Sequence, residues 1–513
     1  MIKKQFALSK EEILFRIFLF IHLLPVLSLT PFVTLDGPAH LFNATLIRQL
    51  ITGSSANASS FLMFNPVLEP NWIGHAFMAL LLGFLPPLMV EKIVLTLILL
   101  LTAIGYRKLI LKLDASNGWL SWSVFPFLCN FVFCLGFFNF SIGFALLPFV
   151  LVWWLNNKEN GLTIKNIASG LLLMTILFFS HLVMFLYAGF CMGLLSLNQF
   201  SKSRIKEISN EIIQLLIISS PGLILTILFG INSGAAGYRG EVSYLPWSDL
   251  LTQIKDARMF IFYDYDKEKV YTIFFTFLIV STTIISLFKR AINRYQFTML
   301  LIVISSLIMI FTIPDSLASG GIVSVRIIQL FFVCWCLWLA TLRMPKWLSA
   351  AFGIGSLAFS LFMIYIHYPV QKSLSEDARH YCDAAKNFSS KDLVAPLNYS
   401  PNWLHANMGS YMGAISGAFI LDNYEPTQGH FPLIWKKGMN PEETLGNYCR
   451  STKPCIYPEQ FKKATGFDVN YFTGWDKPST ADNDSCSLHT DSILNSNYLI
   501  QSQGENPIIY KRK

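Results

Sequence analysis

The sequence predicts a polytopic α-helical membrane protein with a C-terminal extracytoplasmic α/β domain, and three observations carry that expectation. Of 513 residues, 53% are hydrophobic and only 14% are charged, a balance that a soluble domain of this length does not accommodate. Apolar runs of roughly 17 to 22 residues recur from Ile13 to Ile366, each about long enough to cross roughly 30 Å of hydrocarbon as a helix. From Gln371 to Lys513 the composition turns polar, and short apolar runs replace the long ones. The expected division is a transmembrane domain over 1–370, with its first outer loop at 36–71, and a soluble domain over 371–513.

Charge orients the spans. The membrane part carries 25 Lys and Arg against 16 Asp and Glu, and the tail carries 14 against 15. A positive excess in such a protein marks cytoplasmic loops, so no nucleic-acid partner is needed to explain it. The basic groups Lys3-Lys4, Arg107 to Lys112, Lys158 with Lys165, Lys202 to Lys206, Lys289-Arg290 with Arg294, and Arg343 with Lys346 are assigned to the cytoplasm. The apolar run after Lys4 reads as an uncleaved signal anchor with the N-terminus cytoplasmic. Spans then alternate at about 88–106, 119–135, 137–155, 164–180, 181–198, 210–230, 269–287, 297–313, 325–341 and 347–367, which leaves the tail outside. The Pro86-Pro87 break and the charge rule together make about 72–85 an interfacial or re-entrant helix, for about 11 crossings in all.

The tail reads as short strands and helices: Asp392 to Leu397, Ala406 to Ile415, Gly417 to Leu421, Pro441 to Tyr448, Phe467 to Phe472, Tyr498-Leu499 and Pro507 to Tyr510. Cys382, Cys449, Cys455 and Cys486 allow two disulfides in an oxidising compartment, with three connectivities open. No Walker loop, dinucleotide fingerprint, HExxH pair or serine elbow occurs in the tail.

With that topology, residues 36–71, the turn Gly136 to Phe140, the turn at Ser180-His181 and the loop Pro314 to Arg326 converge on the outer face. Asp36 is the leading candidate, because a carboxylate at the end of a hydrophobic helix is costly to desolvate and marks function by default. If 36–48 is helical, Asp36 and His40 share one face and form the candidate catalytic pair, with His40 placed to orient Asp36 or to bind acceptor or donor phosphate; the alternative for Asp36 is an N-cap with Pro38 in the first turn. Arg326, on the outer side against the positive-inside bias, offers a fixed, always-charged fork for a phosphate. His181, Asn139, Arg239, Glu241 and His75 are candidates to line a substrate cleft. The stretch Leu421 to Trp435 holds carboxylates, aromatics and a His in a loop-like setting suited to glycan contact or to packing.

Asp36-Gly37-Pro38-Ala39-His40 after the first span, the exit Asn65-Pro66 through Pro70-Asn71-Trp72, the many spans and the outer C-terminal domain together resemble the GT-C superfamily of glycosyltransferases. The resemblance implies an integral-membrane enzyme that takes a sugar from a polyprenyl-phosphate carrier, with the lipid bilayer as its setting. It implies a base or metal-ligand role for Asp36, and the donor phosphate held by Arg326. Protein-mannosyltransferase-like members carry two adjacent acids in this loop, whereas here Gly37 follows Asp36, so a dyad is not carried over. The donor is a substrate rather than a cofactor; a divalent cation, at Asp36 if anywhere, stays open, as do the acceptor and the oligomeric state. The expected setting is a bacterial inner membrane with a periplasmic tail. The rival readings are a transporter or flippase of a lipid-linked glycan, a glycan polymerase or ligase, and a non-catalytic scaffold.

Overall fold

The structure, a computed structural model, describes residues 9–160, 163–198, 200–235, 242–288, 293–316, 320–342, 344–448, 451, 453–476, 485–502 and 506–513. The chain is mostly helical and forms two compact units, one of residues 1–28 with 95–370 and the other of 29–94 with 371–513.

In the first unit, helices follow the apolar runs. Among the described residues five helices are long and apolar enough to cross a membrane: Pro87–Leu113, Phe138–Asn157, Lys202–Asn232, Tyr265–Leu287 and Lys346–Asn387. Ile164–Ser180, Leu182–Ser196, Gln296–Thr312 and Val323–Leu339 are apolar but shorter. The span expected at 119–135 is not one α-helix. It is a 3-10 helix, Trp119–Phe127, followed by the single turn Phe131–Cys134. Pro126 removes a backbone donor, and Asn130 restarts the helix by donating to Phe127 O (2.7 Å) and accepting from Phe133 N (3.0 Å). Helix Lys346–Ala384 passes so close to the Trp119 carbonyl that only glycine fits at Gly353.

Several basic residues expected at loops are buried and answered by carboxylates. Arg107 donates to Glu11 at 2.8 Å through two nitrogens and to Glu12 at 2.5 Å, and Lys158 meets Glu211 at 3.0 Å. Lys3, Lys4, Lys289, Arg290 and Arg343 lie outside the described residues.

The second unit is built on a five-stranded mixed sheet. Its strands are β2 (Leu393–Asn398), β3 (Phe419–Ile420), β5 (Tyr471–Trp475), β6 (Tyr498–Ser502) and β7 (Ile508–Arg512), in the order β3-β2-β5-β7-β6. β2 runs parallel to both neighbours, whereas β7 is antiparallel to β5 and β6. Val394 O accepts from Leu421 N, so even-numbered residues of β2 face β3. Pro396 therefore falls beyond the residues that β3 pairs, where a missing N–H costs nothing.

The segment 36–71, expected as an outer loop of the membrane domain, is instead woven into this unit. Its strand β1 (Leu62–Phe64) pairs antiparallel with β4 (Leu433–Trp435) of the tail. Phe61, fully buried, stacks at 5.0 Å on Phe419 and lies 5.0 Å from Phe467. Helix Gly37–Thr52 meets helix Ser410–Ser416 where a Cβ on Gly413 would overlap the Phe42 ring. The Pro86-Pro87 break separates helix Ile73–Leu81, too short at 9 residues to span, from Pro87–Leu113. Of the four tail cysteines, Cys455 and Cys486 form a disulfide, Cys382 is a free thiol, and Cys449 lies outside the described residues.

Candidate functional site

The helix that begins at Gly37 gives the second unit its polar face. Asp36 occupies the N-cap position with Pro38 next to it, but its side chain makes no capping hydrogen bond. Its Oδ1 instead accepts from Asn407 Nδ2 at 2.8 Å, and the same amide donates to Leu35 O at 3.0 Å. His40 and Asn43 follow at four and seven residues, on the same face as Asp36. His40 Nδ1 lies 2.6 Å from Glu425 Oε1, and Asn43 exchanges two 2.9 Å amide hydrogen bonds with Asn423. One helical face thus meets three tail residues, and all six side chains are buried.

His75 completes the cluster. It stands in the first turn of helix Ile73–Leu81, with Nε2 2.9 Å from Glu425 Oε2 and Nδ1 3.2 Å from Asn71 O. Asn71 adopts a left-handed backbone (φ 73), a conformation Asn tolerates better than most residues. Its side chain donates to His430 O at 3.3 Å. The His40 and His75 rings meet edge to face at 5.0 Å, and Phe431 packs against both. His40, His75 and Glu425 are 3%, 1% and 1% exposed. Burial alone would raise the Glu425 carboxyl, but the charges and hydrogen bonds of His75 and His40 outweigh it and hold the group down at about 2. Glu69, in the same unit, has no such neighbours among the described residues: burial lifts its carboxyl to about 8, and Oε2 has no hydrogen-bond partner among them.

The other candidates lie in the first unit. His181 separates helices Ile164–Ser180 and Leu182–Ser196 and N-caps the second, its Nδ1 accepting from Val183 N at 3.2 Å. Arg326, in the first turn of Val323–Leu339, has Nη1 3.1 Å from His181 Nε2 and donates through Nη2 to Gly321 O at 3.0 Å. Its guanidinium lies over Phe137 at 4.4 Å and near Phe140 at 5.6 Å. Phe137 in turn precedes helix Phe138–Asn157, whose first turn contains buried Asn139. Three helix N-termini and a guanidinium therefore come together, an arrangement that favours a bound anion. Asp315 steadies the approach by accepting from Val323 N (3.1 Å) and Ser324 N (2.9 Å), while Ile322 between them takes a left-handed φ of 61 that a β-branched residue rarely adopts. Arg239 and Glu241 lie outside the described residues.

Within their own units, then, the structure brings His75 to His40, and His181 to Arg326. The sequence reading leaves Asn407 out and reaches Asn423 and Glu425 only as members of the stretch Leu421 to Trp435, without a role for either. The signal for Glu425 was an acid set among aromatics in Leu421 to Trp435; its partners are 350 and 385 residues away, beyond the reach of any local pattern.

No protein-family model matches the chain, and no curated protein matches it in sequence. Among solved structures the chain is similar to arabinofuranosyltransferase AftD from Mycobacteria, with a TM-score of 0.51 and 12% identity. The match covers 99% of this chain and 40% of that one, so the chain spans well under half the length of the structure it resembles. At 12% identity the likeness concerns the fold, and the fold of this membrane-helix chain is accordingly similar to that of AftD.

Proposed function

We propose that this chain is an integral-membrane glycosyltransferase that moves a sugar from a polyprenyl-phosphate carrier to an extracytoplasmic acceptor. The observation that carries the reading is the AftD-like fold over 99% of the chain. Arg326 holds the carrier phosphate: it is an always-charged fork set among three helix N-termini, where an anion is favoured. Asp36 is the base. The acceptor hydroxyl oxygen forms a bond to the sugar C1, the bond from C1 to the phosphate oxygen breaks, the carrier phosphate leaves as an anion, and the hydroxyl proton passes to Asp36. Asn407 orients the carboxylate by donating to its Oδ1. His40, one turn on, is fixed by Glu425 and keeps that face of the helix in place. His181 and Asn139 serve the donor side through Arg326 and the Phe138–Asn157 helix start. The protein works in a bacterial inner membrane with its C-terminal domain periplasmic.

The test is the melting temperature of purified protein with a panel of polyprenyl-phosphate sugars. A ligand at about 100 times its dissociation constant stabilises by roughly 2.7 kcal/mol. One sugar is expected to stabilise the wild type and Asp36→Asn but not Arg326→Ala, and Asp36→Asn is expected to lose transfer. If no carrier sugar shifts the melting of the wild type, the reading fails and transport of a lipid-linked glycan or a non-catalytic scaffold takes its place.

A further inference from the structure

Among the described residues, one group of three metal-ligating side chains has its ligand atoms within 4.8 Å of one another: His40, His75 and Glu425. All three are buried, and they reach the point from three segments, the first turn of Gly37–Thr52, the first turn of Ile73–Leu81 and the start of Glu425–Gln428.

The hydrogen bonding decides what this cluster asks for. A carbonyl only accepts, so the 3.2 Å contact with Asn71 O assigns the neutral-ring proton of His75 to Nδ1. Nε2, on the other side of the ring, points at Glu425 Oε2 2.9 Å away, a contact that either a proton or a metal ion can bridge. A ring nitrogen fixed by a backbone carbonyl on its far side is the usual outer support of a metal-bound histidine. Here the support is itself deliberate in geometry, since Asn71 reaches His75 from a left-handed backbone and is tied to His430 O through its side chain. The Glu425 carboxylate faces His40 with one oxygen and His75 with the other, so it is placed to join both imidazoles at one ion.

We propose that His40, His75 and Glu425 bind a divalent transition-metal ion, zinc by the chemistry of two imidazoles and one carboxylate, with a fourth position left for water or another oxygen ligand. A tetrahedral zinc keeps its ligands at about 2.0–2.2 Å and so about 3.4 Å from each other, and the N–O contacts, 2.6 Å at His40 and 2.9 Å at His75, open by about 0.8 Å and about 0.5 Å to admit it. The site is distinct from Asp36 and does not depend on the transfer reaction, so it stands or falls by itself. Its role is to fasten helix Gly37–Thr52 and helix Ile73–Leu81 to the tail segment that carries Glu425.

The experiment uses the full-length purified protein. Metal content is measured by mass spectrometry of the wild type, His75→Ala and Asp36→Asn, and cobalt is titrated into chelated wild type while its visible absorption is followed. The expected result is about one zinc per chain in the wild type and in Asp36→Asn, none in His75→Ala, and a tetrahedral cobalt spectrum that saturates at one equivalent. If His75→Ala does not fold, the cobalt titration of the wild type decides by itself. Wild type that holds no metal and gives no cobalt spectrum, or His75→Ala that keeps both, would overturn the proposal and leave a trio joined by protons alone. A protein that binds zinc but ignores every carrier sugar keeps this site and loses the proposed function.

Discussion

His40, His75 and Glu425 in the second unit are crowded with lone pairs, whereas Arg326, His181 and the helix starts around them in the first unit are crowded with N–H groups. The two clusters are alike in aromatic packing, with Phe431 against one and Phe137 and Phe140 against the other. They differ in the sign of the charge that completes them. A carboxylate with two imidazoles is completed by a cation, a proton or a metal ion, and a guanidinium at helix N-termini is completed by an anion. On the two proposals above the first cluster fastens and the second holds a ligand, and each can be broken separately.

The largest effect is expected from Glu425→Ala. Removing it leaves two buried imidazoles facing each other without their carboxylate, and breaking a buried charge pair in this way costs about 3–5 kcal/mol. Thermal unfolding of the purified variant measures it, and a melting point within a degree or two of the wild type would mean that the cluster fastens nothing.

A sharper contrast lies inside the second unit. Glu425 is held ionised by its two histidines, and Glu69, equally buried, is held protonated by burial alone. Raised carboxyls weaken folding as they ionise. Between about 4.5, its unperturbed value, and about 8, the folded chain keeps the Glu69 proton while the unfolded chain releases it, so stability falls as pH rises through that window. Glu69→Gln is expected to flatten this part of the stability profile and to raise stability at pH 8 by on the order of 2 kcal/mol. Equal pH slopes for wild type and variant would show that Glu69 ionises freely in the folded protein.

Arg326→Lys tests whether the first-unit cluster needs a fork or only a charge. A lysine keeps the charge but cannot offer two parallel N–H groups to a phosphate or lie flat on Phe137. Affinity for a stabilising carrier sugar is expected to drop roughly 10- to 100-fold, about 1.4–2.8 kcal/mol, with the melting point of the unliganded protein nearly unchanged. Unaltered affinity would reduce the cluster to a point charge.

How far these clusters can be read in the sequence depends on how local their causes are. The tail strands β2 and β7 follow short apolar runs, Asp392 to Leu397 and Pro507 to Tyr510, because a strand announces itself through its own residues, whereas β5, Tyr471–Trp475, meets the run Phe467 to Phe472 only at Tyr471 and Phe472. Asp36 and His40 fall on one helical face for the same reason. The run 119–135 misleads because nearly uniform apolarity hides Pro126 and Asn130, which settle the local backbone. Glu425 and the β1–β4 pairing were illegible for a different reason: each is fixed by partners some 350 to 385 residues distant, and no spacing in one chain encodes such a meeting. Arg326 stood out through an unusual location, but its contact with His181 is again a long-range one.

The smallest effect in this series is expected at Asn43 and Asn423, and it bears most directly on whether the Asp36 face is bound to the tail. The two amides exchange hydrogen bonds at 2.9 Å in both directions, and both are buried, so each satisfies the other where water is scarce. Asn423→Ala strands the Asn43 amide and is expected to cost about 1–2 kcal/mol, as is Asn43→Ala. The double variant strands neither, so its cost is expected to fall short of the sum by about 1 kcal/mol, the signature of a direct pair in a double-mutant cycle. Strict additivity would mean that the two amides act independently. In that case His40 and Glu425 would be the contact that holds this face of the helix, and the burden of the comparison would rest on the cation they share.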